Sequence, residues 1–87
     1  MNLNEAINKI FPVFELVLSQ DELSTLKNTD RHYLYLYHFS LGLWIRNNLL
    51  PEKGLLYQLF IENNIADKDD MSHTIIKSFH AYLSDKI

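Results

Sequence analysis

Cysteine is missing from this chain altogether. That excludes disulfide frameworks, zinc knuckles and thiol nucleophiles. Glycine and proline occur twice each in 87 residues, which leaves little material for tight turns. Sandwiches and barrels consume turn residues, so long helices with short connections are expected instead. Apolar runs are interrupted well before the roughly 18 residues that a membrane helix needs. The start, MNLNEAINKIF, lacks the basic region, apolar stretch and small-residue cleavage site of a signal peptide. A cytoplasmic location is the resulting expectation, with no membrane partner.

Positive charge is also scarce. Eight basic residues are scattered without a run, and the formal net charge is −3. Phosphate-backbone binding draws on clustered Lys and Arg, so nucleic acid is a poor candidate partner. No H-E-x-x-H or comparable ligand spacing occurs, and neither Ser40 nor Ser72 sits in a nucleophile elbow. No metal or cofactor is expected. His73 and His80, seven apart with Lys77 between them, read as a solvated face.

Hydrophobic residues make up 47% of the chain and charged ones 22%, a globular balance. The length suits one domain over 1–87 with a single modest core. Ala6, Ile7, Ile10, Phe11, Phe14, Val17 and Leu18 recur at three- and four-residue steps, the mark of one buried helical face. Asn2-x-x-Glu5 has the form of a capping box, and Pro12 predicts a kink or two short helices. Ser19-x-x-Glu22 is a second capping box, opening the segment QDELSTLKN.

The stretch from Asp30 to Asn48, DRHYLYLYHFSLGLWIRNN, holds the only Trp and three of the five Tyr. Its alternation alone would suit a strand. Leu34, His38, Leu41 and Ile45 keep helical spacing, however, and no partner strand exists elsewhere. A central helix capped by Thr29 or Asp30 and buried from several sides is therefore expected. Asn47, Asn48 and Pro51 should end it, with NNLLPEKG as a loop. A fourth helix carries Leu55, Leu56, Leu59 and Phe60. A last helix, capped by the pattern Asp67-x-x-Asp70, carries Met71, Ile75, Phe79 and Leu83 at intervals of four. The predicted fold is all-α, about five helices around the aromatic-rich central one.

On such a helix His38, Gly42 and Arg46 form one stripe, with Asn47 beside it. Glycine inside a helix costs about 1 kcal/mol against alanine, so Gly42 implies a close approach or room for a ligand. Asp69 or Asp70 is the expected partner of Arg46, and with Ser72 these residues make a structural polar core. The same groups could instead form a small catalytic or ligand site, with His38 as base, Arg46 as anion holder and Asp70 as carboxylate.

Two separated motifs carry a resemblance. His38, Phe39, Leu41, Gly42, Ile45, Arg46 and Asn47, followed by Asp69, Asp70, Met71 and Ser72, resemble an uncharacterised family of small bacterial proteins with the core H-F-x-L-G-x-x-I-R-N and D-D-M-S. The likeness spans His38 to Leu83 and departs from the family in NNLLPEKG and at Lys68, both in connections. It implies a helical domain and no established activity. By size and acidity such proteins are similar to the immunity proteins of bacterial toxin systems. The functional expectation is therefore a cytoplasmic protein-binding module, not an enzyme, that neutralises a cognate toxin, in particular a basic nuclease-type one. Glu15, Asp21, Glu22, Asp30, Tyr33, Tyr35 and Glu62 are the candidate contacts, and self-association through an apolar face is a further reading.

Overall fold

The computed structural model describes residues 1–85. Six α-helices and one 3-10 helix succeed one another: α1 Leu3–Asn8, α2 Phe11–Val17, α3 Gln20–Asn28, the 3-10 helix Arg31–Tyr37, α4 Leu41–Asn48, α5 Leu55–Glu62 and α6 Lys68–Asp85. The chain is all-helical among the described residues, with one more α-helix than about five, because the first expected helix divides. Pro12 lies in the first turn of α2, where its missing N–H costs nothing.

Local signals account for most helix starts. Asn2 accepts the Glu5 N–H at 2.8 Å. Ser19 and Glu22 exchange both bonds of a capping box. Asp67 accepts the Asp69 N–H at 2.7 Å to open α6. Asn64 ends the α5 region in the left-handed conformation, φ 64°, which asparagine tolerates better than most residues.

The centre of the fold is α6, not the aromatic segment. This 18-residue helix is packed by α1, α3, α4 and the 3-10 helix. Met71, Ser72, Ile75, Ile76, Phe79 and Leu83 form its buried face, a stripe at helical spacing. Phe79 meets Phe11 at 5.4 Å and Phe14 at 4.8 Å between ring centroids. Leu34, Ile45 and Leu50 complete one continuous core. Leu50 is fully buried although it lies in the connection after α4; this loop is anchored by its own side chain.

Several apolar positions depart from expectation. Val17, Leu55 and Phe39 are exposed. α2 is only seven residues long, so its last turn passes beyond the core that Phe11 and Phe14 reach.

Candidate functional site

The expected central helix is two elements. Asp30 caps the first by accepting the His32 N–H at 2.8 Å. Bonds of the i→i+3 kind follow, from Tyr33 to the Asp30 carbonyl and from His38 to the Tyr35 carbonyl. A 3-10 helix has three residues per turn, so side chains three apart eclipse. Leu34 and Tyr37 form the inner ridge, buried and half-buried respectively. Tyr33, Leu36 and Phe39 continue the next ridge outward, at 54%, 64% and 83% exposure, and Tyr35 on the third is 59% exposed. The rings of Tyr33 and Tyr35 lie 6.4 Å apart, and Phe39 stands edge-on to His38 at 4.7 Å. A segment expected to be buried from several directions thus presents four large side chains to solvent. The tighter winding is the cause: it gathers only Leu34 and Tyr37 inward.

Asp30 carries a carboxyl held below its ordinary range, first by the His32 backbone N–H and then by the His32 side chain. Glu22 is lowered for the same kind of reason, by hydrogen bonds from the backbone and side chain of Ser19. Both carboxylates are therefore committed locally as well as charged.

Behind the exposed ridges lies the polar seam. His38 does not share a helix with Gly42 and Arg46, since the turn 38–40 separates the elements. Arg46 nevertheless reaches back across it. Its guanidinium donates to the His38 carbonyl at 3.0 Å and to the Ser72 hydroxyl at 3.0 Å. It stands 3.5 Å from His38 Nδ1 and, through Nε, 3.5 Å from Asp69 Oδ1. Arginine can only donate, so Nδ1 accepts and the His38 proton belongs on Nε2. That nitrogen lies 4.0 Å from Asp69 Oδ2. Ser72, buried in the core, donates in turn to the Asp69 carbonyl at 3.0 Å.

Gly42 makes this possible. A methyl group at its position would stand 3.0 Å from Arg46 Nη1 and 3.1 Å from the Tyr37 carbonyl oxygen. The missing side chain is the slot over which the guanidinium passes. Gly42 is thus a close-approach glycine, one of the two readings its helical position allows.

The expected polar core is accordingly reduced. His38, Gly42, Arg46, Asp69 and Ser72 converge. Asn47 is exposed on the far side of α4 from the core. Asp70 is also exposed and contributes its carbonyl, to the Thr74 hydroxyl; Asp69 is the carboxylate that Arg46 meets. Arg46 is the well-covered partner at 12% exposure and Asp69 the open one at 61%, so this is no closed buried bridge.

The partner-contact candidates fall into separate places. Tyr33 and Tyr35 lie on the 3-10 helix that Asp30 caps, and Tyr35 borders a depression of about 450 Å3 with Phe39, Asp69 and His73. Asp21 and Glu22 line a groove of about 470 Å3 against α2 and α4. Glu15 is half-buried and accepts the Tyr82 hydroxyl at 3.0 Å, an internal bond. Glu62 is exposed at the end of α5, which packs on α1. Sequence reasoning missed Leu36 and Phe39 as surface residues, and missed His80. Its Nε2 lies 2.7 Å from the Thr29 carbonyl, so it donates a bond tying α6 to the end of α3. Only a period of three in RHYLYLYHF could have revealed the first two.

No three His, Asp or Glu side chains group to hold a metal among the described residues. No helix among them is long and apolar enough to cross a membrane. Comparison with known proteins places one family model on residues 1–83, described as a domain of unknown function, DUF6794. No curated protein and no solved structure matches the chain.

Proposed function

The chain belongs to the DUF6794 family of domains of unknown function, and from that premise we propose that it is a protein-binding module of the immunity type. In this reading it binds a cognate bacterial toxin domain through the 3-10 helix and blocks it. One observation carries the reading: Tyr33, Tyr35, Leu36 and Phe39 stand exposed on a single seven-residue element and the turn after it. Exposed aromatics clustered on one element are a feature of protein interfaces, where Tyr and Phe are enriched. The element is held in place by Leu34 in the core and by the bond from Arg46 to the His38 carbonyl. Such support lowers the ordering cost of binding.

Charge supports the kind of partner. A body of net charge −3 suits a basic nuclease-type toxin, because opposite potentials speed association and mask the substrate-binding surface. The alternative of a catalytic His38, Arg46 and carboxylate site draws less support. Arg46 directs its N–H donors at Ser72, at the His38 carbonyl and ring, and at the Asp69 carboxylate, which leaves little for an anion.

The test is a protection assay with the toxin-like product of a neighbouring gene. Cells producing both proteins should survive, and the two should co-elute as a complex. A chain with Tyr33→Ser, Tyr35→Ser and Phe39→Ser should fold, yet lose both protection and co-elution. Death of cells that contain the folded natural chain, with no complex recovered, would contradict the reading.

A further inference from the structure

Beside the 3-10 helix, and distinct from its exposed ridges, runs the groove of about 470 Å3 between α2, α3 and α4. Leu26 and Leu41 are its buried floor, with Leu18 and Trp44 half-buried against them. Asp21 and Glu22 stand exposed at its rim. No Lys or Arg lines it. We propose that this groove takes a basic, amphipathic helical segment of a partner protein, with apolar side chains on Leu26, Leu41 and Trp44 and a Lys or Arg against Asp21. The inference rests on the protein-binding reading above and gives the partner's chemistry.

Three features decide the occupant. The floor is apolar, so water is displaced favourably only by an apolar side chain. The rim is acidic, which selects cationic flanks and disfavours anionic lipid. The apolar surface also extends up the wall of the groove, where Val17 is 51% exposed. A small amphiphile would leave that extension uncovered. A helix presenting apolar residues at i, i+3, i+4 and i+7 covers both. Glu22 is held charged by Ser19, so the rim keeps its sign in the neutral range.

Trp44 is the only tryptophan and lies in the groove, so its emission reports occupancy. Two synthetic helical peptides without aromatic residues serve as probes, about 14 residues long so that a helix can form. They carry the same Leu face, with Lys on the other face in one and Glu in the second. The Lys peptide should give a saturable blue shift that weakens as salt rises. The Glu peptide should give none. Thr25→Arg, on an exposed wall position, should weaken the Lys peptide about tenfold or more. Asp21→Arg should do the same from the rim, and circular dichroism checks that both variants fold. Equal shifts with both peptides, no shift with either, or undiminished affinity in both variants would overturn the proposal. A shift with phosphatidylglycerol vesicles and none with the Lys peptide would assign the groove to a membrane surface and overturn it too.

The Tyr33, Tyr35 and Phe39 variant separates this inference from the functional reading. It should bind the Lys peptide normally while failing to protect cells. Loss of peptide binding with protection intact sinks the groove alone. Peptide binding that is sensitive to Thr25→Arg, with no protection by the natural chain, sinks the immunity reading alone.

Discussion

Arg46 donates a 3.0 Å hydrogen bond to the hydroxyl of Ser72, a residue 26 positions further along the chain. Because Ser72 is buried on the central helix, this bond locks α4 to α6 while the same guanidinium holds the exit of the 3-10 helix through the His38 carbonyl. Replacing Arg46 by Ala should destabilise the fold by about 1–3 kcal/mol, the cost of leaving a buried partner unsatisfied. The loss stays below that of a severed buried ion pair, since Asp69 remains hydrated. Urea unfolding checks this, and Arg46→Lys should recover only part, because an ammonium cannot reproduce the fork.

Gly42 is the companion of that lock. Alanine is the better helix former by about 1 kcal/mol, yet a methyl group here would press on the Tyr37 carbonyl and on Arg46. The carbonyl is backbone and yields little. Gly42→Ala should therefore destabilise, by about 1–2 kcal/mol net of the propensity gain. A stabilised variant in the same urea titration would show that the slot is slack.

The aromatic knot on α6 should be costlier to disturb. Phe79 is fully buried and touches the rings of Phe11, Phe14 and Tyr82. Phe79→Ala should lose about 3–5 kcal/mol through lost burial and the cavity it leaves. Thermal unfolding read by circular dichroism measures it.

Acid should weaken the fold through its caps. Glu22 and Asp30 have folded-state carboxyls lowered by hydrogen bonds, so in the unfolded chain they bind protons more readily. Their contribution is present above the unfolded values, near 4.5 and 3.8, and disappears as pH falls through the lower folded ones. The denaturation midpoint should thus drop below about pH 5, where carboxylates begin to protonate. Ser19→Ala should flatten only part of the Glu22 share of that slope, since it removes the hydroxyl but keeps the Ser19 backbone N–H, the larger hold on the carboxylate.

Helix content was legible because local signals and apolar spacing agreed. Ser19 and Glu22, Pro12, and the four-residue rhythm from Met71 to Leu83 each named their element. The polar seam was legible in its members but not in its route. His38, Gly42 and Arg46 are spaced as a helical stripe, yet they meet because Arg46 folds back over Gly42 across a turn. Asp69 and Asp70 could not be told apart in sequence, since one position of helical rotation decides which faces α4. The segment Tyr33 to Phe39 resisted reading most. Alternation of Tyr and Leu suggests a period of two, and the flanking leucines a period near four, whereas the backbone winds at three. That choice turns Leu36 outward and, with Phe39 in the turn that follows, creates the surface on which the functional reading depends.

The most direct measurement of that reading is the affinity of the purified chain, by calorimetry, for the toxin-like product of a neighbouring gene proposed as its partner. Phe39→Ser combined with Tyr35→Ser should weaken binding about tenfold or more, as expected at the centre of an interface, with an unchanged melting temperature. Affinity unchanged in that variant would place the partner elsewhere and contradict the assignment of the 3-10 helix as the binding surface.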